Sequence, residues 1–194
     1  MHIPAQAARS IASLFLALLL GLTAACSGNI PPLADAPAEP PQYRMVAGDQ
    51  MRITILDEEA LSGQHTVTSE GDISFPLLGD IVAAGKTVGE FRSELVQRLS
   101  PDYLVDPRIS IEILNYRPVY VLGEVERAGE FKYAPELTVT QAVALAGGYT
   151  YRADRSRVFV RRAGQPQEVT YELSSERPVY LSPGDTIRVG GRYF

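Results

Sequence analysis

The sequence predicts an α+β fold made of two small units. Short segments in which apolar and polar residues alternate are typical of half-buried strands. Two further segments have apolar residues at helical spacing, and each has its own start and stop signals. Strands and single helices in mixed order favour an α+β architecture. The 194 residues, 45% hydrophobic and 21% charged, are enough for one or two small domains.

Residues 1–25 have the pattern of a signal peptide. Arg9 precedes an apolar run over 11–22, shorter than the roughly 20 residues that a spanning helix needs. Small residues then lead to Cys26, the one cysteine of the chain. This segment resembles the lipobox of bacterial lipoproteins, although Thr23 stands where that family prefers Leu. The resemblance implies that Cys26 carries lipid; the alternative is an ordinary signal peptide with an incidental cysteine.

Residues 26–42 are predicted to form a tether. The five prolines of this segment favour an extended polyproline conformation. At ~3.1 Å per residue, such a segment could reach on the order of 50 Å from a membrane. Ser27, directly after the cysteine, resembles the outer-membrane sorting signal of enteric lipoproteins. The predicted location is therefore the periplasmic face of the outer membrane, with a lipid anchor.

Residues 43–115 form the first predicted unit. A helix over 87–99 has apolar residues at 88, 91, 95 and 99, and Thr87 with Glu90 forms a capping-box pair. A turn at 69–71 predicts a hairpin between its two flanking strands. The predicted strands of this unit are 51–55, 65–68, 72–75, 81–83 and 108–114.

Residues 116–194 form the second predicted unit. Its helix runs from about 139 to 146, with Thr138 and Gln141 at its start and Gly147-Gly148 after its end. The two units share Gly48-Asp49 and Gly184-Asp185, each before a strand, which a common turn explains. The predicted strands of this unit are 118–123, 130–133, 158–160, 168–171 and 186–189.

The composition argues against several kinds of chemistry. A net charge of −5 disfavours nucleic-acid binding, which needs a basic face. One cysteine and two histidines, His2 and His65, are too few for a zinc site, and the usual nucleotide and serine-hydrolase motifs are absent. The carboxylates of 57–59 suit glycoside hydrolysis in principle, but such a run is usually a solvated turn. We predict no catalytic residue, metal or cofactor.

A group of arginines stands out against the acidic balance of the chain. Guanidinium groups form paired hydrogen bonds with carboxylates and phosphates, so this group is a candidate contact for an anionic polymer or a partner protein. The alternative is an exposed strand whose outward residues happen to be arginine. The candidate residues are Arg152, Arg155, Arg157, Arg161 and Arg162.

Several blocks together resemble the outer-membrane polysaccharide export proteins. The segments 43–53, 67–79 and 84–88 resemble the export domain. The segments 119–125, 129–131, 146–148 and 183–189 resemble the β-grasp module, termed SLBB, that follows it. The resemblance implies that 43–115 is the export domain and that 116–194 is one SLBB module. It also implies a short form, because the large capsule exporters continue into a C-terminal pore helix. The resemblance further implies that a set of residues forms the turns of the two domains: Gly48, Asp49, Gly71, Gly79, Gly123, Gly129, Gly147 and Gly148.

The function implied by the resemblance is a passive one. The chain would form a homo-oligomeric ring, anchored by lipid, that aligns with an inner-membrane polysaccharide co-polymerase and conducts the polysaccharide chain. One alternative is a periplasmic lipoprotein that binds a small ligand or sugar through its β-grasp module. Another is a polysaccharide-modifying enzyme, which the missing nucleophile and metal motifs disfavour.

Overall fold

The computed structural model describes residues 31–192 apart from 38, 101 and 175, so the predicted signal peptide and Cys26 lie outside the described residues. The helices are α1 (Val88–Leu99) and α2 (Val139–Leu145), and a short 3₁₀ turn covers Glu59–Leu61. The strands, in chain order, are β1 (Leu33–Ala34), β2 (Gln50–Ile55), β3 (Gly63–Thr66), β4 (Asp72–Phe75), β5 (Gly79–Val82), β6 (Ile109–Asn115), β7 (Val119–Gly123), β8 (Gly129–Phe131), β9 (Arg157–Arg161), β10 (Glu168–Glu172) and β11 (Thr186–Val189). The α+β prediction is confirmed.

The first half is built around a three-stranded antiparallel sheet in the order β3-β2-β6. Alternation along β2 buries Met51, Ile53 and Ile55, and the residues between them are exposed. Helix α1 buries Phe91 and Leu95, together with Leu99, in the same apolar cluster. Apolar residues recur every second residue on the strand and every third or fourth residue on the helix. Each element therefore has one apolar face, and both faces pack in the same core.

Both helices begin with the predicted capping boxes. The Thr87 hydroxyl accepts a hydrogen bond from the Glu90 amide at 3.2 Å, and the Glu90 carboxylate accepts one from the Thr87 amide at 2.8 Å. Thr138 and Gln141 repeat this arrangement at 3.3 and 2.9 Å. Amide groups that a helix start leaves without partners are thereby satisfied.

The predicted hairpin between 65–68 and 72–75 is wrong. A turn is present, in which the Gly71 amide donates to the Thr68 carbonyl at 3.1 Å. However, β3 pairs with β2, whereas β4 pairs with β5 in a separate two-stranded sheet. The alternating pattern fixes which side chains are buried but not which strand is the partner, so this turn joins two sheets instead of closing a hairpin.

The second half contains a six-stranded sheet in the order β1-β10-β9-β11-β7-β8. Its central pair, β9 and β11, is antiparallel, and β7 runs parallel to β11 on the other side. One face buries the apolar cluster against α2 through Val121, Val158, Val160, Ile187 and Val189.

Part of the predicted tether belongs to this sheet. Leu33 and Ala34 pair in parallel with Thr170 and Tyr171 of β10, and the Pro32 carbonyl accepts a hydrogen bond from the Thr170 amide at 2.8 Å. Proline has no amide donor, but an edge strand forms inter-strand hydrogen bonds on one side only. A proline-rich segment can therefore still pair at the edge of a sheet. The expectation of an unpaired extended segment therefore fails for these residues.

The two halves meet through a row of tyrosine rings. Tyr116 packs against both apolar clusters. Its ring centroid lies 5.2 Å from that of Tyr43 and 5.4 Å from that of Tyr133, both in edge-on geometry. Residues from Pro32 onward accordingly form one compact unit. Neither helix of the described residues is long and apolar enough to cross a bilayer.

Candidate functional site

The outer face of the six-stranded sheet carries side chains from four neighbouring strands. Because residues alternate between the two faces, the buried valines of β7 leave Tyr120 and Leu122 outward, with 40% and 44% exposure. The strand register places Thr186 beside Tyr120 and Arg188 beside Leu122. We call this surface the outer sheet face; its members are Tyr120, Leu122, Arg157, Phe159, Arg161, Glu168, Thr186 and Arg188.

Arg188 is the organising residue of the outer sheet face. Its guanidinium carbon lies 4.0 Å from the centre of the Phe159 ring. Its Nε is 3.1 Å from each carboxylate oxygen of Glu168. This pairing with Arg188 lowers the pKa of Glu168. Stacking and ion pairing together restrict the rotation of these side chains. The surface that they form is both aromatic and charged.

The five predicted arginines do not form one patch. Arg157 and Arg161 lie on the outer sheet face, both exposed, and Arg157 pairs with Asp154 at 3.2 Å. Arg152 and Arg155 belong to the exposed loop before β9, where each guanidinium lies beside a tyrosine ring. Arg162 is directed toward the core residue Tyr171, with 5.6 Å between guanidinium and ring centre. Of the five arginines, the structure thus places only Arg157 and Arg161 on the outer sheet face, at opposite ends of β9.

Arg162 is part of a buried polar cluster around Asp185. Its Nη1 lies 2.6 Å from the Asp185 carboxylate, whose side chain has no solvent exposure, and also donates to the Tyr180 carbonyl at 2.9 Å. The amides of Ser182 and Ala163 donate to the same carboxylate at 2.8 and 3.1 Å. Both oxygens of the Asp185 carboxylate therefore accept hydrogen bonds, which compensates for its burial.

Asp49 occupies the equivalent place in the first half. The Val46 amide donates to its carboxylate at 2.8 Å, as the Ser182 amide does to Asp185. The glycines before these aspartates, Gly48 and Gly184, have φ of +90° and +88°. A turn with glycine in the left-handed region and a carboxylate that binds back to its first residue explains the repeated Gly-Asp pair. Asp49 also accepts a hydrogen bond from the Tyr43 hydroxyl.

A recess of about 400 Å³ lies where the two halves meet. We call it the junction recess; the charged and aromatic part of its lining is Tyr43, Arg44, Arg117, Arg162, Tyr171 and Asp185. Burial and the Asp49 carboxylate raise the pKa of Tyr43 above its usual range, although Arg117 opposes this. Tyr43 is therefore a neutral hydroxyl at the edge of a positively charged recess.

The residues considered for catalysis are separated. Asp57 and Glu59 are exposed and flank a half-buried Glu58 at the start of the 3₁₀ turn, as in a solvated charge run. His65 stacks on Phe75 at 5.5 Å, and its Nδ1 lies 3.1 Å from the Ser74 carbonyl. Within the residues that the structure describes, no group of three or more His, Cys, Asp or Glu side chains could hold a metal ion.

Sequence reasoning missed Arg117 and Arg188. Nothing in the local pattern separates them from other surface arginines, because their surroundings come from strands far apart in the chain. The outward position of Tyr120 and Leu122 could have been found, since the buried residues Val119 and Val121 alternate with them.

Comparisons with known proteins agree with this two-domain organisation. Residues 37–114 match the family model described as polysaccharide biosynthesis/export protein, and residues 118–171 match the SLBB domain. The chain is 39% identical over 132 residues to the "Exopolysaccharide production protein ExoF" of Rhizobium meliloti, covering 62% of this chain and 31% of that protein. It is 32% identical over 137 residues to the "EPS I polysaccharide export outer membrane protein EpsA" of Ralstonia nicotianae, covering 66% and 36%.

The chain thus spans about a third of the length of these relatives. The two family models match in the expected order; the first covers the buried residues of the first apolar core, and the second ends before Val179, Leu181, Ile187 and Val189 of the second core. The chain therefore contains a domain of the polysaccharide biosynthesis/export protein family, followed by an SLBB domain.

Proposed function

We propose that this protein takes part in the export of an exopolysaccharide, held at the periplasmic face of the outer membrane by lipid on Cys26. The observation that carries the proposal is the ordered pair of an export domain and an SLBB domain. The names of the relatives ExoF and EpsA, which refer to exopolysaccharide production and polysaccharide export, support it. The lipobox-like segment before Cys26 supports the anchor.

The proposed mechanism is passive and needs no covalent chemistry from this chain. Copies would assemble into a ring that aligns with an inner-membrane co-polymerase and lets the polymer slide. The shared Tyr116 contact suits this role, because it joins both cores into one body that a ring can position. The outer sheet face, with Arg157 and Arg161, is the proposed contact for polymer or neighbour. Exposed charges of this kind bind weakly, as sliding requires.

A deletion strain tests the function. High-molar-mass extracellular polysaccharide should be lost when the gene is removed and restored by the complete gene in trans. Growth rate and the intracellular pool of sugar nucleotides serve as controls for a general defect. Unchanged secretion in a strain without paralogous genes would contradict the proposal.

Cell fractionation tests the anchor. Cys26→Ala should move the protein from the membrane fraction to the soluble periplasmic fraction, because the acyl chains would be missing. Ser27→Ala is the matched control and should remain with the membrane. Membrane association of the Cys26 variant equal to that of the native chain would contradict lipid attachment.

The outer sheet face and the assembly are tested with one variant. Arg157→Ser with Arg161→Ser should reduce secretion or the size of detergent-extracted assemblies in sedimentation. Arg92→Ser, on the exposed side of α1, is the control and should change neither. A monomeric native chain in mild detergent would contradict the ring.

A second candidate function is the binding of a soluble small ligand. The junction recess favours it, because arginine and tyrosine side chains line a concave space of about 400 Å³. This candidate predicts a monomer with a saturable binding isotherm, whereas the export proposal predicts large assemblies.

A further inference from the structure

Arg117 differs from the other two arginines of the junction recess in lacking a carboxylate partner. Arg44 pairs with Glu90 at 3.0 Å and donates to the Gly85 carbonyl at 2.7 Å. Arg162 pairs with Asp185 at 2.6 Å. Among the described residues, Arg117 forms no ion pair, and its Nε is buried without a hydrogen-bond partner. The neutral Tyr43 side chain neighbours this guanidinium, where Arg117 opposes the rise of the Tyr43 pKa. Arg117 is therefore the arginine of the recess whose charge is not balanced by an ion pair, and it is the best suited of the three to an anionic ligand.

The position of Arg117 is fixed by the turn beneath it. A Cβ atom added at Gly184 would lie 3.1 Å from Nη1 of Arg117 and 3.3 Å from its Cζ, so the guanidinium rests directly on this glycine. The Gly184 amide donates to the Pro118 carbonyl at 3.0 Å, which holds the chain after Arg117 against the same turn. The guanidinium is therefore preorganised and loses little freedom when an anion binds.

From this geometry we infer that the junction recess binds the carboxylate of an acidic sugar residue, with Arg117 as its principal ligand. A guanidinium offers parallel N–H groups that match the two oxygens of a carboxylate. The recess can hold one sugar ring, and Tyr43, Pro37 and Pro41 in its lining give apolar surface for the C–H groups of the sugar. The inference rests on the proposed export function and specifies it: the polymer would carry uronic acid residues or similar carboxylates.

Other anions are distinguished by the test. D-glucuronate is the probe, D-glucose is the matched sugar without a carboxylate, and inorganic phosphate represents phosphate sources. The purified full-length lipoprotein in mild detergent is titrated at low ionic strength, and the ¹H–¹⁵N signals of the arginine Nε–H groups are followed. Glucuronate should shift the Arg117 signal saturably, and glucose should not. Phosphate binding as tight as that of glucuronate would overturn the assignment to an acidic sugar.

Variants assign the site. Arg117→Gln should weaken glucuronate binding by at least about tenfold, because a charge-assisted paired hydrogen bond is lost. Arg117→Lys keeps the charge but not the paired geometry, and it should give intermediate affinity. Arg92→Gln is the control on the exposed side of α1 and should bind like the native chain. Undiminished binding by Arg117→Gln, or no saturable shift in the native chain, would overturn the inference.

The outcomes for the site and for the function are separable. Loss of secretion in the deletion strain without glucuronate binding would leave the export role and remove this site. Glucuronate binding through Arg117 together with unchanged secretion would retain the site and reject the export role.

Discussion

The carboxylate of Asp185 lies 2.6 Å from Nη1 of Arg162 and is completely buried beneath it. Two backbone amides, of Ser182 and Ala163, donate to the same carboxylate. The ion pair thus joins the end of β9 to the turn before β11, the two strands that pair side by side. Its role is structural, because it fixes Arg162 to the turn before β11 through a carboxylate that solvent does not reach.

Breaking this pair should destabilise the protein strongly. Asp185→Asn leaves Arg162 half-buried without its counter-charge, and we expect a loss of about 3 kcal/mol or more in the free energy of unfolding. Urea denaturation followed by circular dichroism measures it. Glu112→Gln, which removes an exposed pair with Arg52 at 3.6 Å, is the control and should cost less than about 1 kcal/mol. Equal losses in both variants would contradict the proposed role.

The tyrosines at the junction should make the protein sensitive to alkali. Burial is the main cause that raises the pKa of Tyr43, Tyr116 and Tyr133 above 10.0, their value in an unfolded chain. A folded pKa above the unfolded one contributes stability that is complete below about pH 10 and is lost as the pH rises through the folded value.

The measurement is the urea midpoint as a function of pH, with tyrosinate absorbance as the titration signal. Tyr116→Phe keeps the ring but removes one ionising group, so the midpoint should fall less steeply above about pH 10. Tyr103→Phe, with a half-exposed ring, is the control and should follow the native curve. An unchanged slope in Tyr116→Phe would count against the burial argument.

Gly123 should tolerate no side chain. It has φ of +86°, and a Cβ atom would lie 2.1 Å from the Val189 carbonyl oxygen, on the neighbouring strand β11. Gly123→Ala must therefore separate β7 from β11 where both strands end, and we expect a loss of several kcal/mol, on the order of 3 or more, in the free energy of unfolding.

The matched control is Gly89→Ala in α1, where an added Cβ would be 3.9 Å from the Thr87 hydroxyl. Alanine favours a helix over glycine, so this variant should be stabilised by about 0.5–1 kcal/mol. Thermal unfolding should show a lower melting temperature for Gly123→Ala and a higher one for Gly89→Ala than for the native chain. A Gly123→Ala protein as stable as the native chain would show that the two strands are not held at this distance.

Strand β1 should protect the edge of β10. The Thr170 amide donates to the Pro32 carbonyl, so its hydrogen exchange should be slow in the native chain. Deletion of Leu33 and Ala34 should accelerate exchange at Thr170 and leave Ile187, between β7 and β9, unaffected. Rapid exchange at Thr170 in the native chain would mean that the strand does not form in solution.

The fold was predictable where the pattern is local. Thr87 with Glu90, and Thr138 with Gln141, identified both helix starts, since a capping box lies within four residues. The partner of β4 was not predictable, because pairing with β5 or β3 leaves the same side chains buried. The pairing of Leu33 with Thr170 joins residues far apart in the chain, and no pattern in a proline-rich segment indicates such a partner.

The candidate site divides in the same way. Arg157 and Arg161 share a face because they are four residues apart on a strand, which the sequence shows directly. Arg162 follows directly in the sequence, but its guanidinium is held by Asp185 from the turn before β11. The sequence next to Arg162 does not indicate this partner. That Arg117 forms no ion pair with another described residue depends on every surrounding element, so only the folded chain reveals it.

Strand β1 also limits how the body can stand on a membrane. If Cys26 carries lipid, the segment from Cys26 to Pro32 connects the lipid to β1, and it spans at most about 20 Å when fully extended. The β10 edge of the sheet is then held close to the lipid headgroups. Strand β8, at the opposite edge, lies five strand spacings away, or roughly 24 Å further. Anchoring would therefore limit the distance of β1 from the bilayer, while β8 could lie further from it.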